Sequence, residues 1–229
     1  MIWLFYALFD WAIIILSAIY LPFIFAALVV GNRVHALSVL AHDAAHNLTG
    51  LGKWNDLIAK VLFFWPLCLD MSGYRKHHLQ HHRYLGTNDD PELDSRDKVY
   101  EDGISIWRSI KDLFGLGIPR LLEVFKLFLP RDNLKLTPGI IVQLLILTFL
   151  PWHYIILWYF SLVTVFWMIF RRRIWLEHIP NLHQQVTISW WYALLFAPHN
   201  TWYHYEHHRR PYIFHSINYP KQENGDKNL

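Results

Sequence analysis

The sequence predicts an all-α integral membrane protein with about four transmembrane helices, additional interfacial helices, and a helical cap on the cytoplasmic side that holds a histidine-rich metal site. Three observations carry this. Hydrophobic residues make up 54% of the chain and aromatics 17%, with twelve tryptophans, more than a soluble domain of this size carries. Two long stretches are almost free of charge: residues 1–32 hold only Asp10, and residues 136–170 hold no Asp, Glu, Lys or Arg. Clusters of histidine follow each of these stretches. The chain reads as one membrane domain over 1–229, with crossings at about 2–20, 21–41, 137–150 and 152–171 and the cap built from 42–130 and 172–229.

Residues 1–32 are too long for one crossing at about 1.5 Å per residue, and Pro22 divides them into two helices, each near the roughly 20 residues a bilayer needs. A signal peptide is disfavoured, because there is no basic start and no clear cleavage site. Arg33 and His35 fall inside the second helix, where a charge is costly unless it faces protein or reaches the interface, so the helix is expected to leave the membrane near there. Residues 54–69 are apolar but interrupted by Asp56 and Lys60 and ended by Pro66. One crossing there would put the next histidines on the wrong face, so the stretch is expected in the interface. Residues 86–102 form an acidic, exposed loop, either simply solvated or a docking or supporting surface. Residues 104–129 suit amphipathic surface helices, broken near Gly115 to Pro119.

The 35 residues of 136–170 would extend about 52 Å as one helix, so Pro151 is expected to separate two crossings. Arg171, Arg172 and Arg173 close the last of them and place that end in the cytoplasm by the positive-inside tendency. Residues 188–197 return to the interface, and the tail from Lys221 is polar. A formal charge of +3 argues for no nucleic-acid partner, and one cysteine, Cys68, leaves no internal disulfide.

The histidines carry the chemistry. They cluster as HDAAH from His42 to His46, HLQHH from His78 to His82, and HYEHH from His204 to His208. At helical spacing His42 with His46, His78 with His81 and His82, and His204 with His207 and His208 each share a face. With fifteen histidines in 229 residues, one HxxHH arises by chance in only about 0.06 of chains, so two copies plus an HxxxH indicate a metal site. Eight imidazoles are twice what one tetrahedral zinc takes, and no CxxC or HExxH is present, so two ions fit better. Imidazole suits iron, copper and zinc alike. The paired crossings bring all three clusters to one face. Asp43 could orient an imidazole; Glu177 and Asn200 abut ligand regions and could hydrogen-bond a ligand or a bound water. His77 competes with His78 but lies off the HxxHH face. His35, His153, His183, His199 and His215 have no cluster partner and are expected in surface or structural roles.

HDAAH, then HLQHH followed by RYLGTNDDPELD, then an Arg-rich stretch ending in Trp-Leu-Glu-His at His178, then NTWYHYEHH, together resemble the membrane fatty acid desaturase family with its hydroxylase and ketolase relatives, over about residues 32–211. The resemblance implies a non-haem di-iron oxygenase holding two Fe ions and using O2 to remove hydrogen from an unactivated acyl chain. It also implies that His178 is a ninth ligand. No haem- or flavin-binding segment is evident, so electrons would come from a ferredoxin, a rubredoxin, or a b-type cytochrome with its reductase. The alternatives are a hydroxylase or ketolase acting on a lipid or carotenoid-like substrate and, from other classes, a zinc hydrolase or a membrane metal-binding or transport protein. Transport would need ionisable groups lining the crossings, for which only Asp10 and His153 are candidates.

Overall fold

The computed structural model describes residues 2–92, 105–116, 118, 133–178 and 188–212, and every regular element among them is helical. Helix α1 (Ile2–Tyr20) and helix α2 (Phe23–Ala45) form an antiparallel hairpin turned by Pro22, whose extended backbone sits at the α2 N-cap. That places the start of α2 two residues later than the expected 21. The end also lies later: α2 runs past 41 to Ala45, and the chain leaves it where Asn47 takes a left-handed φ of 59°, a conformation asparagine tolerates well. Small residues let the hairpin close, with Ala7, Ala26 and Ala27 all buried. The outward faces are apolar and exposed, including Phe5, Phe9, Ile15, Ile24 and Phe25, which suits lipid rather than water.

Three helical stretches are long and apolar enough to cross a membrane: Ile2–Tyr20, Phe23–Ala45 and Trp152–Ile174. The sequence predicted a fourth at about 137–150. Its counterpart, α6 (Asn133–Phe149), has an apolar part of Thr137–Phe149, only about 20 Å long against a hydrocarbon core of about 30 Å. The third stretch is built of α7 (Trp152–Ser161), a π-helical turn (Leu162–Phe166) and α8 (Trp167–His178). Ser161 and Thr164 return their hydroxyls to the Leu157 and Phe160 carbonyls at 2.6 Å, side-chain bonds of the kind that bend helices. At this turn Gly31 of α2 lies so close that a Cβ there would sit 2.5 Å from the Val165 Cβ and 2.9 Å from the Phe166 backbone nitrogen.

Between the hairpin and the second histidine cluster, α3 (Asn55–Ala59) and a π turn (Lys60–Phe64) cover the bundle. Phe63 and Phe64 are buried, whereas Trp54, Leu57 and Val61 are exposed. The Trp11 indole donates to the Leu62 carbonyl at 2.9 Å, and Gln143 ties α6 to the Pro66 carbonyl at 2.7 Å. Helix α4 (Met71–Tyr84) starts at Asp70, whose carboxylate accepts from the Ser72 and Gly73 N–H groups. Of the amphipathic stretch expected over 104–129, α5 (Ile106–Leu113) is described, while 119–132 lie outside the described residues. Its Asp112 pairs with Arg171 of α8 at 2.6 Å, both fully buried, while Ile106 and Trp107 stay exposed. Helix α9 (Trp190–Phe196), a 3-10 turn (Pro198–Tyr203) and α10 (His204–Arg209) complete the described chain.

Candidate metal centre

Each histidine cluster rides on a helix or its cap, and the end of the first of these helices is held by side chains from other elements. His42 lies in the last turn of α2 and His46 caps it. The open carbonyls of that helix end are satisfied from outside. Arg75 of α4 donates to the Ala44 and Ala45 carbonyls at 3.0 and 2.9 Å, and Asn55 donates to Ala44 at 2.9 Å. Arg75 is itself held by Asp56 at 2.7 and 2.8 Å, and this hydrogen-bonded pairing lowers the Asp56 pKa. Three residues along the same helix from Arg75 stands His78. One guanidinium therefore sets the distance between the first two clusters.

The imidazoles converge in two groups: His42, His46, His78, His82 and His207 in one, and His81, His204 and His208 in the other, with the ligand atoms of each group within 4.8 Å of one another. In the first, His46 Nε2 lies 2.9 Å from His78 Nε2, which lies 3.0 Å from His82 Nε2, itself 3.0 Å from His207 Nε2. The His42 ring adjoins those of His78 and His207 at 4.4 and 4.5 Å between centroids. In the second, His208 adjoins His204 at 4.3 Å and His81 at 5.0 Å. The two groups abut through His82 and His208, 4.8 Å apart.

Electrostatics make these rings good ligands. Burial, with Arg75 nearby, brings His46 down to about 4. Burial and the adjacent His208, His46 and His81 bring His82 down to about 2, and burial with neighbouring imidazoles lowers His78 as well. At neutral pH these rings are uncharged. A neutral imidazole nitrogen offers one N–H or one lone pair, yet His78 and His82 each touch two others through Nε2, more than either can bond. A cation that takes all the lone pairs resolves the conflict, so the donor set fits metal.

Support from outside is most explicit at His81. Its Nδ1–H donates to Asp90 Oδ1 at 2.9 Å, which leaves the Nε2 lone pair for the group with His204 and His208. Asp90 is fully buried. Burial raises its pKa, but the His81 bond and the Gly86 and Glu92 backbone N–H groups more than offset this and hold it at about 2. Tyr74 stacks flat on His78 at 5.6 Å. Among the described residues of the acidic loop expected over 86–102, Asp90 thus supports the site, and nothing in its local sequence singles it out from its neighbours.

The other expected site residues fall as follows. Buried Asp43 lies 3.7 Å from His42 Nδ1, beyond hydrogen-bonding distance. His77 joins neither group and faces Glu92 at 3.8 Å. His178 ends α8, but its side chain and that of Glu177 lie outside the described residues. Asn200 sits beside His199 in a reversal where both backbones are left-handed, at φ 58° and 54°. For His199 this conformation costs about 1–2 kcal/mol, whereas asparagine tolerates it. His199, expected in a surface or structural role, hydrogen-bonds Asp10 through Nε2 at 2.7 Å, and Asp10 also takes Arg33 at 3.1 Å. Arg33 is matched by a buried carboxylate, and α2 continues for twelve residues past it to Ala45. A lone acid in one apolar stretch and a lone base in the next, twelve residues before and eleven after Pro22, were the signal for this pair.

A family model described as fatty acid desaturase matches residues 3–221. Among curated proteins, the chain is 27% identical over 227 residues to a putative sphingolipid delta(4)-desaturase/C4-monooxygenase of Caenorhabditis elegans, covering 89% of this chain and 56% of that protein. It is 27% identical over 189 residues to a beta-carotene ketolase of Paracoccus sp. strain N81106, covering 77% of this chain and 69% of the ketolase. A beta-carotene ketolase of Paracoccus sp. strain PC1 is 26% identical over 195 residues, with the same coverage. The chain thus spans about half the length of the worm relative. No solved structure matches it.

Proposed function

Because the chain belongs to the fatty acid desaturase family, we propose that it is a membrane di-iron oxygenase that introduces a C=C bond into an acyl chain. The observation that carries this is the convergence of eight histidines from three distant segments into two adjoining groups. His42, His46, His78, His82 and His207 hold one iron, and His81, His204 and His208 hold the other, with His178 as the ninth ligand. Iron bound there supplies the means to reduce O2 with external electrons and to remove hydrogen from an unactivated C–H bond.

The chain's own residues prepare that chemistry. Burial keeps the imidazoles neutral and water out of the ligand sphere. Asp90 fixes the tautomer of His81, and Arg75 holds the first cluster against the second. The centre faces the cytoplasm, a reading supported by Arg171, Arg172 and Arg173 at the end of the last long apolar stretch, and a ferredoxin, a rubredoxin or a b-type cytochrome with its reductase delivers electrons there. The substrate is a lipid drawn from the surrounding bilayer.

A second reading, oxygen insertion by a hydroxylase or ketolase, is favoured by the names of the relatives, two of them beta-carotene ketolases and one a desaturase/C4-monooxygenase. One experiment separates the readings: elemental analysis of the detergent-purified chain with His81→Ala and His207→Ala, and mass spectrometry of lipids and carotenoids from cells with and without it. About two irons per chain, reduced in both variants, with an acyl product lacking two hydrogens, is the expected result. A product that has gained oxygen transfers the assignment to the second reading. One zinc, unaffected by either substitution, would refute both.

A further inference from the structure

The buried charges of the hairpin lie far from the histidine groups yet grip the segment that delivers the third cluster. Asp10 stands in the middle of α1 and is fully buried, with no water to stabilise its charge. Its two oxygens are divided: Oδ1 takes Arg33 Nη1 of α2 at 3.1 Å, and Oδ2 takes His199 Nε2 at 2.7 Å. Arg33 is braced in turn by the side chain of Asn32, through its Nε at 2.9 Å and through its Nη2. The amide of Asn32 donates to the Leu195 carbonyl at 2.6 Å, in the last turn of α9. Tyr6 packs its ring 5.2 Å from that of His199. The hairpin thus holds both sides of the double left-handed reversal at His199 and Asn200, and α10 with His204, His207 and His208 begins four residues after Asn200.

We propose that Asp10 is a positioning residue for the third histidine cluster, acting through His199 to fix the reversal from which α10 departs. The proposal rests on the reading that the two histidine groups hold two metal ions. A left-handed backbone that is unfavourable for histidine persists only where tertiary contacts over-determine it. Here the contacts come from α2 and its partner α1, and α2 also carries His42 and His46. From Arg33 to His42 is nine residues, about 14 Å of rigid helix. The same rod therefore sets the first cluster and the origin of the third.

The consequence is unequal for the two groups. The third cluster supplies two of the three members of the group with His81, but only one of the five in the group with His42. Loosening α10 weakens the smaller group far more than the larger one.

The test loads the purified, metal-free full chain with Co(II), following bound cobalt per chain and the ligand-field absorption, for wild type, Asp10→Ala, Asp10→Asn and His199→Ala. Asp10→Ala and His199→Ala are expected to weaken one of two sites by about 10–100-fold while the other changes little. Asp10→Asn, which keeps an oxygen to accept from His199, recovers most of the loss. A purely structural role would lower the melting temperature and shift both sites together, which overturns the proposal, as do two sites with unchanged affinity and spectrum. Should Asp10→Ala not fold, His199→Ala decides, since it leaves the Asp10–Arg33 pair intact. A wild type that takes up one cobalt or none overturns the two-metal reading itself, and the proposal with it, and is told apart because no variant is needed to see it.

Discussion

His46 and His82 show how a residue is made a ligand by being denied water. An ordinary histidine titrates near 6.5, whereas burial brings these two to about 4 and about 2. In the metal-free protein, as pH falls from about 6.5 to about 4, the unfolded chain binds protons that the folded chain refuses at these rings. Stability therefore rises with pH through that window and is lost on acidification. The melting temperature of the metal-free protein in detergent is expected to fall by several degrees between pH 7 and pH 5; an equal or higher value at pH 5 would contradict the assignment of neutral rings. These histidines were legible in the sequence because helical spacing reports directly on a shared face. Asp90 was not, because its partner His81 lies nine residues away across a turn, and a run of several carboxylates looks alike until the chain folds.

At the scale of elements, α2 is the part on which the others are measured. Its close contact with the π turn of the third long helix depends on Gly31. A methyl group there meets a backbone nitrogen that cannot rotate away, so Gly31→Ala is expected to cost about 1–3 kcal/mol, read as a lower melting temperature of the detergent-purified chain. An unchanged melting temperature would show that α2 and the π turn can separate freely. The sequence marked α2 well by hydropathy and Pro22, and placed its end at about 41, four residues short of Ala45. Hydropathy registers the charge of Arg33 but not its partner, and Asp10 is 23 residues away. The π turn left no trace in the pattern, since one extra residue per turn does not disturb an all-apolar face.

The whole molecule turns on parity, because three clusters can share a site only if their helices emerge on one side. Three stretches have the length and composition to span a bilayer, and α6 is shorter; four crossings would need it to span as well. In a Cys68→Ser background, Trp152→Cys is expected to react with a membrane-impermeant thiol reagent on intact cells, and Lys53→Cys only after permeabilisation. Labelling of both from the same side would rule out four crossings. The three long apolar helices and the clusters were legible from local pattern, but the joining of α9 and α10 to the hairpin was not, since it depends on contacts between the two ends of the chain. The Asp10–His199 bond spans 189 positions, and that between His82 and His207 spans 125. During synthesis the hairpin, with the first and second clusters, emerges while the third is still unmade. The centre is therefore closed last, by the arrival of the final segment, and nascent chains halted before residue 199 will hold a half-built site able to take a metal weakly and release it.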